Sequence, residues 1–248
     1  MTGTVSKRRA IKGLLFDKDG TLFDFAASWS GVMDRTLARL APDADLRHQM
    51  ATASGYDPVT RLFVPGSPAV AGALNEVAEI WAGFLPEADP ARVTAIAEEV
   101  AVAAVSGGEL SPAVPDLSGF LNGLRAQGYT LGIATHDSEE AARAHVGAFG
   151  ALDSFQFIAG YDSGHGLKPG PGMLLAFARS VGLSPAEIAM IGDSVHDLGV
   201  APAAGAAMAV GVLTGPATHE DLAPHADHVI PSIGALPDLL NRLSAVRV

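Results

Sequence analysis

Six side chains have the types and spacing to do chemistry on a charged group. They are Asp17 and Asp19 in "LLFDKDGTLFD", Thr135 in "IATHDS", Lys168 in "GHGLKPG", and Asp193 and Asp197 in "MIGDSVHD". Each alone has a plain reading. An Asp after a strand makes a side-chain turn, Thr135 caps a helix or ends a strand, and Asp193 caps a helix that leaves Asp197 solvated. Lys168 reads as a surface lysine in a turn, although only four lysines occur (Lys7, Lys12, Lys18 and Lys168). Capping does not explain all six at successive strand ends. Asp17, Asp19 and Asp193, with no His or Cys among them, make a hard oxygen site suited to Mg²⁺. A carboxylate beside such an ion can attack phosphorus, and a second, two residues on, can protonate the leaving oxygen and then activate water. A lysine and a hydroxyl can share the charge on the phosphoryl oxygens.

Those side chains need a scaffold. Residues 11–17 predict a first strand, and the pattern then turns helical. Ser28 is read as the cap of a helix carrying Trp29, Val32, Met33, Leu37 and Leu40 on one face and stopped by Pro42. Ser67-Pro68 opens another through Val70, Leu74, Val77, Ile80, Trp81 and Phe84, and Asp89-Pro90 a third through Val93, Ile96, Ala97 and Val100. No strand is expected between Phe25 and Ser106, and "SGGELSPAVP" reads as a linker. Strand–helix alternation then resumes. Strands are expected at 129–135, 154–160, 187–193, in "AAMAVGV" and in "DHVI"; helices are expected in "SEEAARAHVGAFG", closed by Gly150, "PGMLLAFARSVG", ending at Gly182, and "VHDLGVAPAAG". Repeated β-α units imply a Rossmann-like parallel sheet in an α/β fold, which gathers function at the strands' carboxyl ends. The expected organisation is an α/β core, 1–24 and 110–248, with an α-helical cap module, 25–109, inserted after the first strand.

Composition narrows the partners. A net charge of −11 and a hydrophobic content of 48 % describe a globular chain that binds neither nucleic acid nor an anionic membrane. An anionic substrate then needs a locally positive site or a metal. Absence of cysteine excludes disulfides, thiolate catalysis and Cys-ligated zinc. Lys7, Arg8 and Arg9 resemble the basic start of a signal peptide, but the apolar run behind them is short and cut by Asp17, so the expectation is no export and a cytoplasmic location. No stretch is long enough to span a membrane.

The four segments resemble, in order and spacing, the four motifs of the haloacid dehalogenase superfamily in its Mg²⁺-dependent phosphatase branch. The resemblance covers the whole chain. "DKDGT" implies Asp17 as nucleophile and metal ligand, and Asp19 as general acid and base with its backbone carbonyl on the metal. "ATHDS" implies Thr135 as a phosphoryl ligand. "GLKPGP" implies Lys168 stabilising the nucleophile and the transferring group, and "IGDSVHD" implies Asp193 as metal ligand with Asp197 supporting. Phosphoglycolate-phosphatase-like members often carry Asn after the motif Thr; here it is His136, a candidate substrate contact beside the phosphoryl site. His165 and His196 lack ligand spacing and are read as structural.

Residue identities choose among branches. Dehalogenase members lack the second Asp, so Asp19 favours phosphoryl chemistry. Phosphonatase members use a cap lysine, and residues 25–109 contain none. A phosphomutase of the β-phosphoglucomutase type shares every core motif and stays as the alternative. A phospho-accepting receiver-type switch domain would be about half this length and has no use for a helical insertion; a catalytically dead binding protein would have lost a motif residue. The expected partner is a small phosphorylated metabolite, with phosphoglycolate suggested by the resemblance, and the expected assembly is a monomer or homodimer. Besides His48, the module's cations are Arg35, Arg39, Arg47, Arg61 and Arg92; three are assigned to helices, and Arg61, in "GYDPVTRLFVPGS", is the candidate to meet substrate.

Overall fold

Short apolar runs flanked by polar turns leave few folded options, and most of them here become strands buried on both faces. In the computed structural model, which describes residues 10–72, 74–86 and 88–245, the first is β1 (Gly13–Phe16), every residue of which is buried. Lys7, Arg8 and Arg9 lie outside the described residues. The chain divides into two compact units: described residues through Leu22 with Pro112–Thr214 and Thr218 onward, and Phe23–Ser111 with Gly215–Ala217.

The second unit begins with α1 (Phe25–Leu40). Its cap is Asp24, whose side chain accepts from Ala27 N, and not Ser28, which is buried in the first turn with its Oγ accepting from Ser111 N. Next come α2 (Ala44–Ser54), a hairpin of β2 (Tyr56–Asp57) and β3 (Leu62–Phe63), α3 (Pro68–Ala71), α4 (Leu74–Ala82) and α5 (Pro90–Ser106). Three expectations need correcting. A hairpin does occur between Phe25 and Ser106, because Asp57 folds the turn by accepting from Val59 N and Thr60 Oγ1. The helix expected from Ser67 is two, since α3 ends at Gly72 in extended backbone. Four of the five arginines sit on helices, Arg47 included, on α2, where it donates to the carbonyls of Ala41 and Pro42. Trp81, Tyr56, Phe63, Met50, Leu37 and Val93 fill this unit's core, and the Trp81 indole donates to Met50 O.

The first unit resumes with α6 (Leu117–Ala126), then β4 (Thr130–Ala134), α7 (Glu139–Ala148), β5 (Phe157–Ala159) and α8 (Gly172–Val181). It closes with β6 (Ile188–Gly192), α9 (Val195–Ala204), β7 (Met208–Val212), α10 (His219–Leu222), β8 (His228–Ile230) and α11 (Leu236–Ala245). Six strands pair in parallel, in the order β5-β4-β1-β6-β7-β8, and helices flank the sheet. The chain winds outward from β1 through β4 to β5, then crosses back to β6 on β1's other side. The winding direction therefore reverses beside β1, which is where open parallel sheets place a ligand crevice. Phe16 is level with Ile133 of β4 and Ile191 of β6, so the residues just past all three strands emerge together.

Candidate active site

Asp17 leaves β1 with its N–H still donating to Ile191 O at 2.8 Å, so the ladder holds its backbone. The chain then turns sharply: Leu22 N donates to Lys18 O, and Gly20 takes φ +83°. Glycine is required there twice over, because the left-handed backbone disfavours a Cβ and that Cβ would collide with the Asp193 carboxylate. Thr214 Oγ1 donates to Gly20 O at 2.6 Å and ties the turn to the segment after β7.

Lys168 arrives from the loop between β5 and α8. Its buried ammonium lies 2.5 Å from Asp17 Oδ1 and 2.6 Å from Asp197 Oδ1. Asp193 follows β6 directly, and Ser194 caps α9 in a reciprocal box with Asp197: Asp197 N donates to Ser194 Oγ and Ser194 N to Asp197 Oδ2, and Ser194 Oγ also donates to Asp197 Oδ2 at 2.5 Å. Asp197 is thus buried on a helix's first turn, and not a solvated face. Oxygens of Asp17, Asp193 and Asp197 lie within 4.8 Å of one another. Burial pushes Asp17 up to about 7; the Lys168 cation opposes that shift and repulsion from Asp197 adds to it. Asp193 is held well above the carboxylate range by burial, then by Asp17 and Asp197. Burial would lower Lys168, but Asp17 and Asp197 outweigh it and raise its pKa. Three carboxylates against one ammonium leave two formal negative charges, and a hard divalent cation fits that donor set.

Thr135 follows β4 directly, buried, with Oγ1 accepting from Asp137 N at 3.1 Å. His136 is more exposed, yet its Nε2 accepts from Lys168 N at 3.0 Å. Partial burial and the Lys168 cation lower its pKa to about 4, so the ring is neutral with the proton on Nδ1. His196 lies edge-on to it at 6.4 Å, and His165 stacks on Phe157.

Asp19 departs from the trio. Its Oδ2 pairs with the Lys18 ammonium at 2.5 Å, so the carboxylate cluster comprises Asp17, Asp193 and Asp197. Lys18 is fully buried and also reaches Asp137 Oδ2 at 3.3 Å and His145 Nδ1 at 2.9 Å. Burial alone would lower its pKa; Asp19, then Asp137, reverse this and raise it. Sequence reasoning did not anticipate this group. Its available signal was a lysine between two aspartates in a lysine-poor chain. Arg61 belongs to the other unit, as the last residue of the hairpin's turn, with φ +58° and its guanidinium 3.3 Å from Asp34 Oδ2. The Tyr56 hydroxyl donates to the same carboxylate at 2.7 Å.

Residues 11–205 match the model of the haloacid dehalogenase-like hydrolase family. The chain belongs to that family. This hydrolase is 29 % identical over 245 residues to a phosphoglycolate phosphatase of Cereibacter sphaeroides (strain ATCC 17029 / ATH 2.4.9), covering 94 % of this chain and 99 % of the relative. It is 31 % identical over 242 residues to a phosphoglycolate phosphatase of Yersinia pseudotuberculosis serotype I (strain IP32953), covering 94 % and 97 %. The crystal structure of a putative beta-phosphoglucomutase from Thermotoga maritima superposes with a TM-score of 0.73 over 94 % of this chain and 99 % of that one, at 17 % identity; it shares the fold. Among the described residues, no helix of this hydrolase is long and apolar enough to cross a membrane.

Proposed function

We propose that this hydrolase is a Mg²⁺-dependent phosphatase that cleaves a small phosphomonoester through an aspartyl-phosphate on Asp17, with phosphoglycolate the first substrate to test. The observation that carries the reading is the buried Lys168 ammonium bridging Asp17 and Asp197 beside Asp193, at the ends of adjacent parallel strands. The Asp17 carboxylate attacks phosphorus, the ester P–O bond breaks, and Asp19 protonates the departing oxygen. Asp19 then takes a proton from the water that attacks the acyl phosphate, which frees phosphate and restores Asp17. Lys168 offsets charge on the nucleophile and on the phosphoryl oxygens throughout. The Thr135 hydroxyl binds a phosphoryl oxygen. His136, its Nε2 engaged by Lys168 N, offers Nδ1–H as a second donor.

Asp17, Asp193 and the Asp19 backbone carbonyl would hold Mg²⁺, with Asp197 supporting. When bound, the ion supplies the positive charge that lets the carboxylates stay ionised together and neutralises the phosphoryl oxygens. On the helical unit, Arg61 is the proposed reader of an anionic group on the leaving portion, in exchange for its half-exposed pair with Asp34.

The test is a panel of phosphomonoesters with Mg²⁺, 2-phosphoglycolate included, read by inorganic phosphate. Mg²⁺-dependent release from one or more supports the reading, and no release from any by folded protein overturns it. Conversion of a sugar phosphate to its isomer without net phosphate would replace it with the mutase reading. Asp19→Ala with an activated ester should leave phosphate on acid-quenched protein, because departure then needs no acid while hydrolysis still needs a base.

A further inference from the structure

A lysine side chain with no solvent exposure, directly after the proposed nucleophile, needs a reason, because burying an ammonium is unfavourable unless it is fully paired. Lys18 is paired from three sides. An ammonium has three N–H donors, and three acceptors surround this one: Asp19 Oδ2 at 2.5 Å, His145 Nδ1 at 2.9 Å and Asp137 Oδ2 at 3.3 Å. Two of the three are themselves fixed. Asp137 precedes the α7 cap, donates its N–H to Thr135 Oγ1 and accepts from Ser138 N through Oδ1. His145 sits buried on α7; accepting at Nδ1 leaves its proton on Nε2. The third acceptor, Asp19, stands in the turn after β1.

We propose that Lys18 is a positioning residue that holds the Asp19 carboxylate in one orientation by tethering it to α7 and to the loop carrying Thr135. This rests on the reading of Asp19 as the group that protonates the leaving oxygen. The tether links two of the chain's motif segments through a side chain that need not touch substrate. Its role is geometric: a carboxylate swinging on two free torsions spends most of its time away from the leaving oxygen, and a misplacement of about 1 Å can cost roughly a hundredfold in rate.

The experiment compares wild type, Lys18→Met, Asp19→Asn and the double variant on phosphomonoesters whose leaving groups run from p-nitrophenol to simple alkyl alcohols. Lys18→Met should lower kcat on the alkyl esters by about 10²-fold with KM within about twofold, and steepen the dependence of ester cleavage on leaving-group acidity. In the Asp19→Asn background the same substitution should change kcat by less than about twofold, since there is no carboxylate left to orient. Lys18→Gln, which keeps two donors on a side chain one atom shorter, should recover part of the loss and serves as the test variant if Lys18→Met does not fold. Wild-type kcat in Lys18→Met (or in Lys18→Gln where it stands in), or equal losses with and without the Asp19 carboxylate, would overturn the proposal. A wild-type rate in Asp19→Asn alone would instead overturn the assignment of Asp19, so the two failures are told apart.

Discussion

The two units differ in the charge they bury, although the α/β unit also carries pairs open to water, such as Arg143 with Glu139. In the α/β unit two lysines are fully or almost fully buried and held from several sides: Lys168 between Asp17 and Asp197, and Lys18 between Asp19, Asp137 and His145. In the helical unit the pairs lie open to water: Arg35 with Glu109, Arg39 with Glu99, and Arg61 with Asp34, each partner two-fifths exposed or more. Exposed pairs are screened and add little, whereas removing one member of a buried pair strands the other. The first unit is thus built for a fixed arrangement of charge, and the second for a surface whose charges can exchange partners at little cost.

Four measurements would break or sharpen that contrast. Asp17→Asn, nearly isosteric but without a nucleophile, should lower kcat by a factor on the order of 10⁴ or more with the circular dichroism spectrum kept; a tenth of wild-type kcat would remove Asp17 from that role. Lys168→Met should lower kcat by roughly 10²–10³-fold and, at pH 8, destabilise by about 3–5 kcal/mol, because Asp17 and Asp197 are left facing each other; denaturation showing no loss would mean the buried cluster is not held by this cation. Mg²⁺ and pH give the third. A carboxyl raised in the fold takes nothing from stability below its unfolded value of 3.8 and increasingly more up to its folded value, about 7 for Asp17, because the native state keeps a proton the unfolded chain has released. The metal-free protein therefore loses this contribution from pH 4 to 7. Mg²⁺, which takes the ionised carboxylates, should raise Tm by roughly 2–4 °C more at pH 8 than at pH 5.5; an equal gain at both would place the ion elsewhere. The smallest effect belongs to the helical unit. Arg61→Gly should be about 1 kcal/mol more stable than Arg61→Ala, since the φ of +58° suits glycine. Both should lose preference for an anionic leaving group over p-nitrophenyl phosphate; equal losses on both substrates would make Arg61 a structural residue.

Legibility in the sequence divides along the same line. Apolar runs such as "LLF" and "IAMIG" announce buried parallel strands, and acids just past them announce a crevice, because chemistry at a strand end displaces the usual turn residues. The helical unit was harder. The α2 segment buries only Met50, Ala51 and Ser54, so it carries little periodic signal, and the hairpin's two-residue strands fall below what alternation can register. Asp24 and Ser28 are both good caps four residues apart, and only the tertiary bond from Ser111 N to Ser28 decides between them. The partners of Lys18 were hidden for a different reason. Asp137 and His145 lie more than a hundred residues downstream, and nothing local marks a lysine as buried.

β1 sits mid-sheet, yet its neighbours are made late. Its hydrogen-bonded partners begin at Thr130 and Ile188, while the strand itself ends at Phe16. At ribosomal rates of about 5–20 residues per second, the nascent chain carries those four apolar residues without a partner strand for on the order of ten seconds. For that interval the centre of the finished sheet is an unpaired sticky segment, and its brevity, with four charged residues within the next eight positions, limits what it can nucleate. Lengthening β1 with further apolar residues would be expected to show first as inclusion bodies during expression, before any change in the purified protein.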